Sequence, residues 1–76
     1  MNQVIMIGKL LEVDVDNKEI ILVVEDNPFF WEMSLNMIKT LVGKEDSLIA
    51  VKGHLNVIHD GVYTLTAEKV SLCEVK

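Results

Sequence analysis

The chain has no arginine, one cysteine, one proline and four aromatic residues among its 76 positions. Each scarcity excludes something. Cys73 stands alone, so no disulfide can form within the chain. That cysteine and the two histidines, His54 and His59, lack the paired spacing of a zinc site. No metal or other cofactor is expected. The missing arginine removes the side chain that forks onto phosphates and stacks on bases. Seven lysines face twelve carboxylates, for a net charge of −5. This balance counts against nucleic-acid binding as a dominant role, although a local cationic face can coexist with acidic loops. The longest purely apolar run, Ile20 to Val24, is far short of the ~20 residues that span a membrane. The first ten residues carry neither a cationic n-region nor an apolar stretch of signal length. With a lone cysteine, the expectation is a soluble cytoplasmic protein.

What is present is a high apolar content in a short chain. Half of the residues are hydrophobic, and mean hydropathy is +0.32. A domain of this size buries only about 60% of the surface its unfolded chain exposes. Without disulfide or metal, self-association is the remaining way to bury more. A homo-oligomer, dimer or tetramer, is therefore expected. Its contact is expected through the first strand, which is apolar on both faces: Val4 and Met6 against Ile5 and Ile7. No catalytic motif is present, and Asp14 and Asp16 lack the glycine and distal glutamate of a calcium loop. The chain reads as a non-enzyme.

Periodicity and turn chemistry divide the chain into five strands and one helix. Val4 to Val15 reads as a long strand bent at Gly8-Lys9, followed by a turn centred on Asp16-Asn17. Glu19 to Glu25 is the second strand, Asp26-Asn27-Pro28 a turn, and Phe29 to Leu35 the third strand. Asn36 to Gly43 predicts a short helix, capped by Asn36 and ended by Gly43. Leu48 to Val57 and Val62 to Leu72 are the last strands, joined through Asp60-Gly61. The predicted fold is all-β. It is a single-domain, five-stranded Greek-key barrel of the oligonucleotide/oligosaccharide-binding (OB) type, partly open, with a helix between strands three and four.

Three blocks then carry a resemblance. Residues 1–10 (MNQVIMIGKL) are similar to the opening strand of bacterial single-stranded DNA-binding proteins. Residues 47–55 (SLIAVKGHL) resemble their fourth strand, and residues 65–72 (LTAEKVSL) their closing strand. The blocks keep family order and span the barrel, with weak likeness in the segment between the first and the third. The resemblance implies an OB barrel that binds single-stranded DNA weakly and without sequence preference. Departures qualify it. The loop between strands two and three and the helix are shorter than the family's. The acidic-hydrophobic tail that recruits replication proteins has no counterpart before Lys76, so that activity is expected to be absent. The alternative is an OB-fold module that has lost tight DNA binding and joins subunits or a partner protein, or is itself a replication or primosome-type accessory module.

Single-strand binding needs cations for phosphates and aromatic faces for bases. Strand alternation places Met33 and Leu35 in the core with Phe29 and Trp31, and turns Phe30, Glu32, Ser34 and Asn36 outward. Phe30 is the better stacking candidate. Trp31 is a second candidate that reads equally as core or subunit interface. Phe30 matches a family stacking position, and Glu32 stands where the family often has a base. On the fourth strand Ile49, Val51, Gly53 and Leu55 face the core. Lys52, His54 and Asn56 face out, a row suited to phosphate and base contact, and are expected to share one groove face with Phe30. Lys9 sits where the family places a basic residue near bound strand. Tyr63 can stack from the hairpin or close the barrel mouth. Lys18 and Lys69 read as solubilising edge charges.

Overall fold

A computed structural model of the protein describes residues 2–57, 59–61 and 63–73. The chain runs β1 (Gln3–Asp14), β2 (Glu19–Val24), β3 (Asn27–Glu32), α1 (Leu35–Leu41), β4 (Leu48–Val57) and β5 (Tyr63–Leu72). The strands close into a barrel in the order β1-β2-β3-β5-β4. All five strands and the single helix predicted from the sequence are present in the predicted order. The barrel is closed rather than partly open, because β3 and β5 meet in a short parallel pairing, Trp31 with Leu65 and Glu32 with Thr66.

Alternation along the strands builds the core. Leu10, Ile20, Leu22, Trp31, Ile49, Val51, Leu65 and Ala67 point inward and are buried. Met33, Ile38 and Leu41 join the same cluster from the helical segment. Every buried residue described is apolar or glycine. β1 is long enough to serve two neighbours. Its first half, Gln3 to Lys9, pairs with β4, and its second half, Lys9 to Asp14, pairs with β2.

Several boundaries differ from the sequence expectation, each for a local reason. The β2–β3 turn is the residue pair Glu25-Asp26, both left-handed (φ 50 and 67), and not Asp26-Asn27-Pro28. Two left-handed residues match the twist of an antiparallel hairpin. Pro28 therefore lies inside β3, opposite Val23. It is tolerated there because β5 reaches β3 only at Trp31 and Glu32, leaving Pro28 on an edge. β3 ends at Glu32, so alternation stops there: Met33 is buried, but Leu35 starts the helix and is 40% exposed. The helix cap is Ser34, whose hydroxyl accepts from the Met37 N–H at 3.3 Å, and not Asn36. The β1 irregularity is a bulge between Leu10 and Glu12 rather than a bend at Gly8-Lys9. Gly8 instead allows close approach to the Val23 backbone, which a Cβ would obstruct. The expected Asp-Gly turn stands, with Asp60 and Gly61 both at positive φ. Val62 and residues 74–76 of the expected fifth strand and tail lie outside the described residues.

Candidate functional site

Strand register sorts the outward side chains into two faces. On the first, β1, β2 and β3 contribute the rows Lys9–Val23–Pro28, Glu12–Ile21–Phe30 and Asp14–Glu19–Glu32. On the second, β1, β4 and β5 contribute Gln3–His54–Thr66, Ile5–Lys52–Lys69 and Ile7–Ala50–Ser71. β5 separates β4 from β3 in the barrel. Phe30 and the Lys52–His54–Asn56 row therefore do not share one groove, as the sequence reading had placed them. Alternation within a strand was legible, but the order of strands around the barrel was not.

The first face is aromatic and acidic. Phe30 is 48% exposed and Tyr63 is 57% exposed. They come together at a hollow of about 190 Å³ lined by Pro28, Phe29, Phe30, Tyr63 and Leu65. Such a hollow offers π-faces to a planar ring, and aromatic stacking accepts any base. Its electrostatics oppose phosphate. Partial burial pushes the Glu19 carboxyl above its usual range, and the Glu32 and Asp14 carboxylates push it further. Asn17 donates its side-chain amide (2.8 Å) and backbone N–H (3.1 Å) to Asp14 and holds that carboxyl below its usual range. Lys9, the cation of this face, is bridged to Asp46 at 3.5 Å with both side chains exposed, a contact that solvent largely screens.

The second face carries the other predicted residues. Lys52 is exposed, and His54 is half-buried. The His54 Nδ1 lies 3.1 Å from the Glu68 Oε2. Beside this pair is a hollow of about 340 Å³ lined by Asn2, Gln3, Gly53, His54 and Glu68. Asn56 is half-buried and donates its side-chain amide to the Thr66 hydroxyl, so part of its capacity is spent inside the sheet.

Trp31 is the one predicted site residue that the structure removes from the surface. It is fully buried, paired with Ile20 on one side and Leu65 on the other. Of three consecutive aromatics on a strand, the middle one, Phe30, must face away from the outer two, so Phe29 and Trp31 share the inward side. The sequence reading also missed Pro28, Phe29 and Leu65 as lining residues, and it took Lys69 for a lone edge charge. The adjacency of Pro28, Phe29 and Phe30 was a visible signal. Leu65 had none, because it arrives through the non-local β3–β5 pairing.

Comparison with solved structures adds the fold family. The chain is similar to a crystal form of the mitochondrial single-stranded DNA-binding protein Rim1 from S. cerevisiae, with a TM-score of 0.79. Identity is 10%, over 93% of this chain and 91% of that one. A second crystal form of Rim1 matches at a TM-score of 0.74, again at 10% identity, over 93% and 92% of the two chains. The fold is an OB barrel. No family model matches the sequence, and no curated protein matches it either. At 10% identity the likeness is one of backbone path, so side-chain roles in this OB barrel rest on its own residues. Among the described residues, no group of three or more His, Cys, Asp or Glu is placed to hold a metal ion. Among the described residues, no helix is long and apolar enough to cross a membrane.

Proposed function

We propose that this protein is a non-enzymatic, intracellular single-stranded DNA-binding module. It binds weakly and without sequence preference, and it works as a homo-oligomer. One observation carries the reading: two exposed aromatic rings, Phe30 and Tyr63, meet at a hollow between β3 and β5 of an OB barrel. Large aromatics exposed to water lose the burial that normally justifies them, and pairing them at a hollow fits bases that stack. The likeness of the fold to single-stranded DNA-binding proteins supports the same reading. Titration with fluorescent oligo-dT at low and high salt tests it. Saturable binding at micromolar protein, weakening with salt, is expected. Phe30→Ala is expected to weaken it about tenfold, the lower part of the ~1–3 kcal/mol that one stacked base contributes. Absence of saturable binding at micromolar protein would overturn the proposal.

Self-association is proposed through β1. Residues Gln3 to Gly8 pair with β4 alone among the described strands, so one edge of this half-strand is open. Ile5 and Ile7 on it are 64% and 55% exposed. An open edge beside exposed isoleucines is the arrangement that soluble monomers avoid. Ile5→Lys is expected to shift the assembly toward the 8.6 kDa monomer by light scattering; an unchanged mass would place the interface elsewhere.

The second reading is a protein-interaction module, including a replication or primosome-type accessory. The row Asp14–Glu19–Glu32 beside Phe30 favours it, because an acidic-aromatic face suits a basic partner protein better than a phosphate chain. Saturable binding of a lysine-rich peptide that Glu32→Lys abolishes, with no oligo-dT binding, is the result that selects it.

A further inference from the structure

The proposed function leaves a physical gap. Single strands are held by bases and by phosphates together, and the three rows of the aromatic face set a line of carboxylates against a single lysine, Lys9. Phosphate needs a different place. On the second face Lys52 and Lys69 are directly opposed across β4 and β5. Side chains so placed have Cβ atoms about 4.5–5.5 Å apart, and like charges there destabilise the sheet. Both lysines are exposed. The ion pairs among the described residues are Lys9–Asp46 and His54–Glu68, so neither lysine has a carboxylate partner among them. Glu68, the carboxylate next to Lys69 in the chain, lies against His54. Two cross-strand lysines can converge their ammonium groups on one tetrahedral anion, whose oxygens can accept from both at once.

We propose that Lys52 and Lys69 form a twin-lysine seat for a backbone phosphate of single-stranded nucleic acid. The seat is separate from the aromatic hollow, so one strand is held at two points. This rests on the single-strand-binding reading and supplies the phosphate contact that reading lacks. The surroundings suit it. The next row, Ile7–Ala50–Ser71, carries no charge, and Ser71 is exposed. The spacing suits it too. Tyr63 and Lys69 are six residues apart on β5, about 20 Å at ~3.3 Å per residue. A stretched strand covers that length within the ~4–16 nucleotides that an OB barrel engages.

The experiment uses the full chain and two probes. The first is fluorescent oligo-dT, titrated from low to high salt. Lys52→Gln/Lys69→Gln is expected to weaken binding at low salt and to flatten the dependence of log K on log salt. The slope should fall by about 0.7, the value for one phosphate on a single strand; a fall of about 1.4 would mean that each lysine holds its own phosphate and would overturn the shared seat. Phe30→Ala should weaken binding with the slope unchanged. The second probe is an abasic oligodeoxyribonucleotide, followed by amide chemical shifts. Shifts are expected at Lys52, Lys69 and Ser71 and not at Phe30. A double variant with the wild-type slope, or abasic shifts centred elsewhere, overturns the seat while leaving the aromatic reading intact. Shifts at the seat with inorganic phosphate but none with the abasic strand also overturn it. Abasic shifts at the two lysines, with oligo-dT binding that Phe30→Ala leaves unchanged, would uphold the seat and refute the aromatic part of the proposed function. The double variant removes a like-charge pair from the surface, so it is expected to fold at least as well as the wild type.

Discussion

Trp31→Ala is expected to remove most of the stability of this barrel, whereas Phe30→Ala, one position away, leaves the barrel folded. Trp31 is fully buried between Ile20 and Leu65, at the one place where β3 and β5 close the barrel. Truncating a buried tryptophan costs about 3–5 kcal/mol, because the transfer free energy is lost and a cavity remains. A chain of this length has roughly 4–11 kcal/mol in total, at ~0.05–0.15 kcal/mol per residue. Phe30 is half exposed, so its truncation is expected to cost about 1 kcal/mol or less and to show in binding instead. Trp31→Phe is the informative control. It keeps a ring in the core and deletes the indole N–H, which has no hydrogen-bond acceptor among the described residues. Removing an unsatisfied buried donor recovers part of the lost packing, so Trp31→Phe is expected to cost less than half of Trp31→Ala. Urea unfolding followed by far-UV circular dichroism reads all three, because tryptophan fluorescence is lost with the residue. Near wild-type stability for Trp31→Ala would show that the ring is not a core residue.

Gly53→Ala is expected to be nearly as damaging, although it adds one methyl group. A Cβ at Gly53 would collide with the Thr66 carbonyl oxygen and lie 2.9 Å from the Ala67 Cα. Those atoms are backbone, so no side chain can swing aside. The position also sits where the β4–β5 register shifts, with Glu68 as the extra residue. Relief requires β4 and β5 to part at their centre, at an expected cost above about 3 kcal/mol. Gly43→Ala separates this from general glycine effects. Gly43 has φ +84 and open space around it, so alanine there meets backbone strain alone, about 1–2 kcal/mol. Equal urea midpoints for the two variants would refute the close-approach argument. Because Lys52 and His54 flank Gly53, Gly53→Ala is also expected to disturb the second face before it disturbs Phe30.

These two positions show how far the sequence could be read. Gly53 within an apolar strand signals close approach by its own composition, but only the structure shows that the approaching group is the Thr66 carbonyl. Trp31 was ambiguous because alternation fixes relative sides, and Phe30 and Trp31 could have exchanged roles if β3 had paired one residue out of step. The register Ile20 with Trp31 and Ile21 with Phe30 decides the matter. Ser34 displaced Asn36 as helix cap because β3 ends two residues before it, and strand ends are set by the partner strand as much as by local propensity.

The sequence by itself determined the element order, the turn at Asp60-Gly61, the inward set on β4 and the outward aspect of Lys52, His54 and Asn56. These follow from period-two alternation and from residues that accept positive φ, and both are local properties. The tertiary structure alone decided which outward residues meet. Closure in the order β1-β2-β3-β5-β4 brings Tyr63 to Phe30, sets Lys69 beside Lys52, and separates the aromatic face from the lysine face. Each of these juxtapositions joins residues distant in the chain. Pairing between distant strands is chosen by the collective burial of the core, and no short stretch of sequence carries that information.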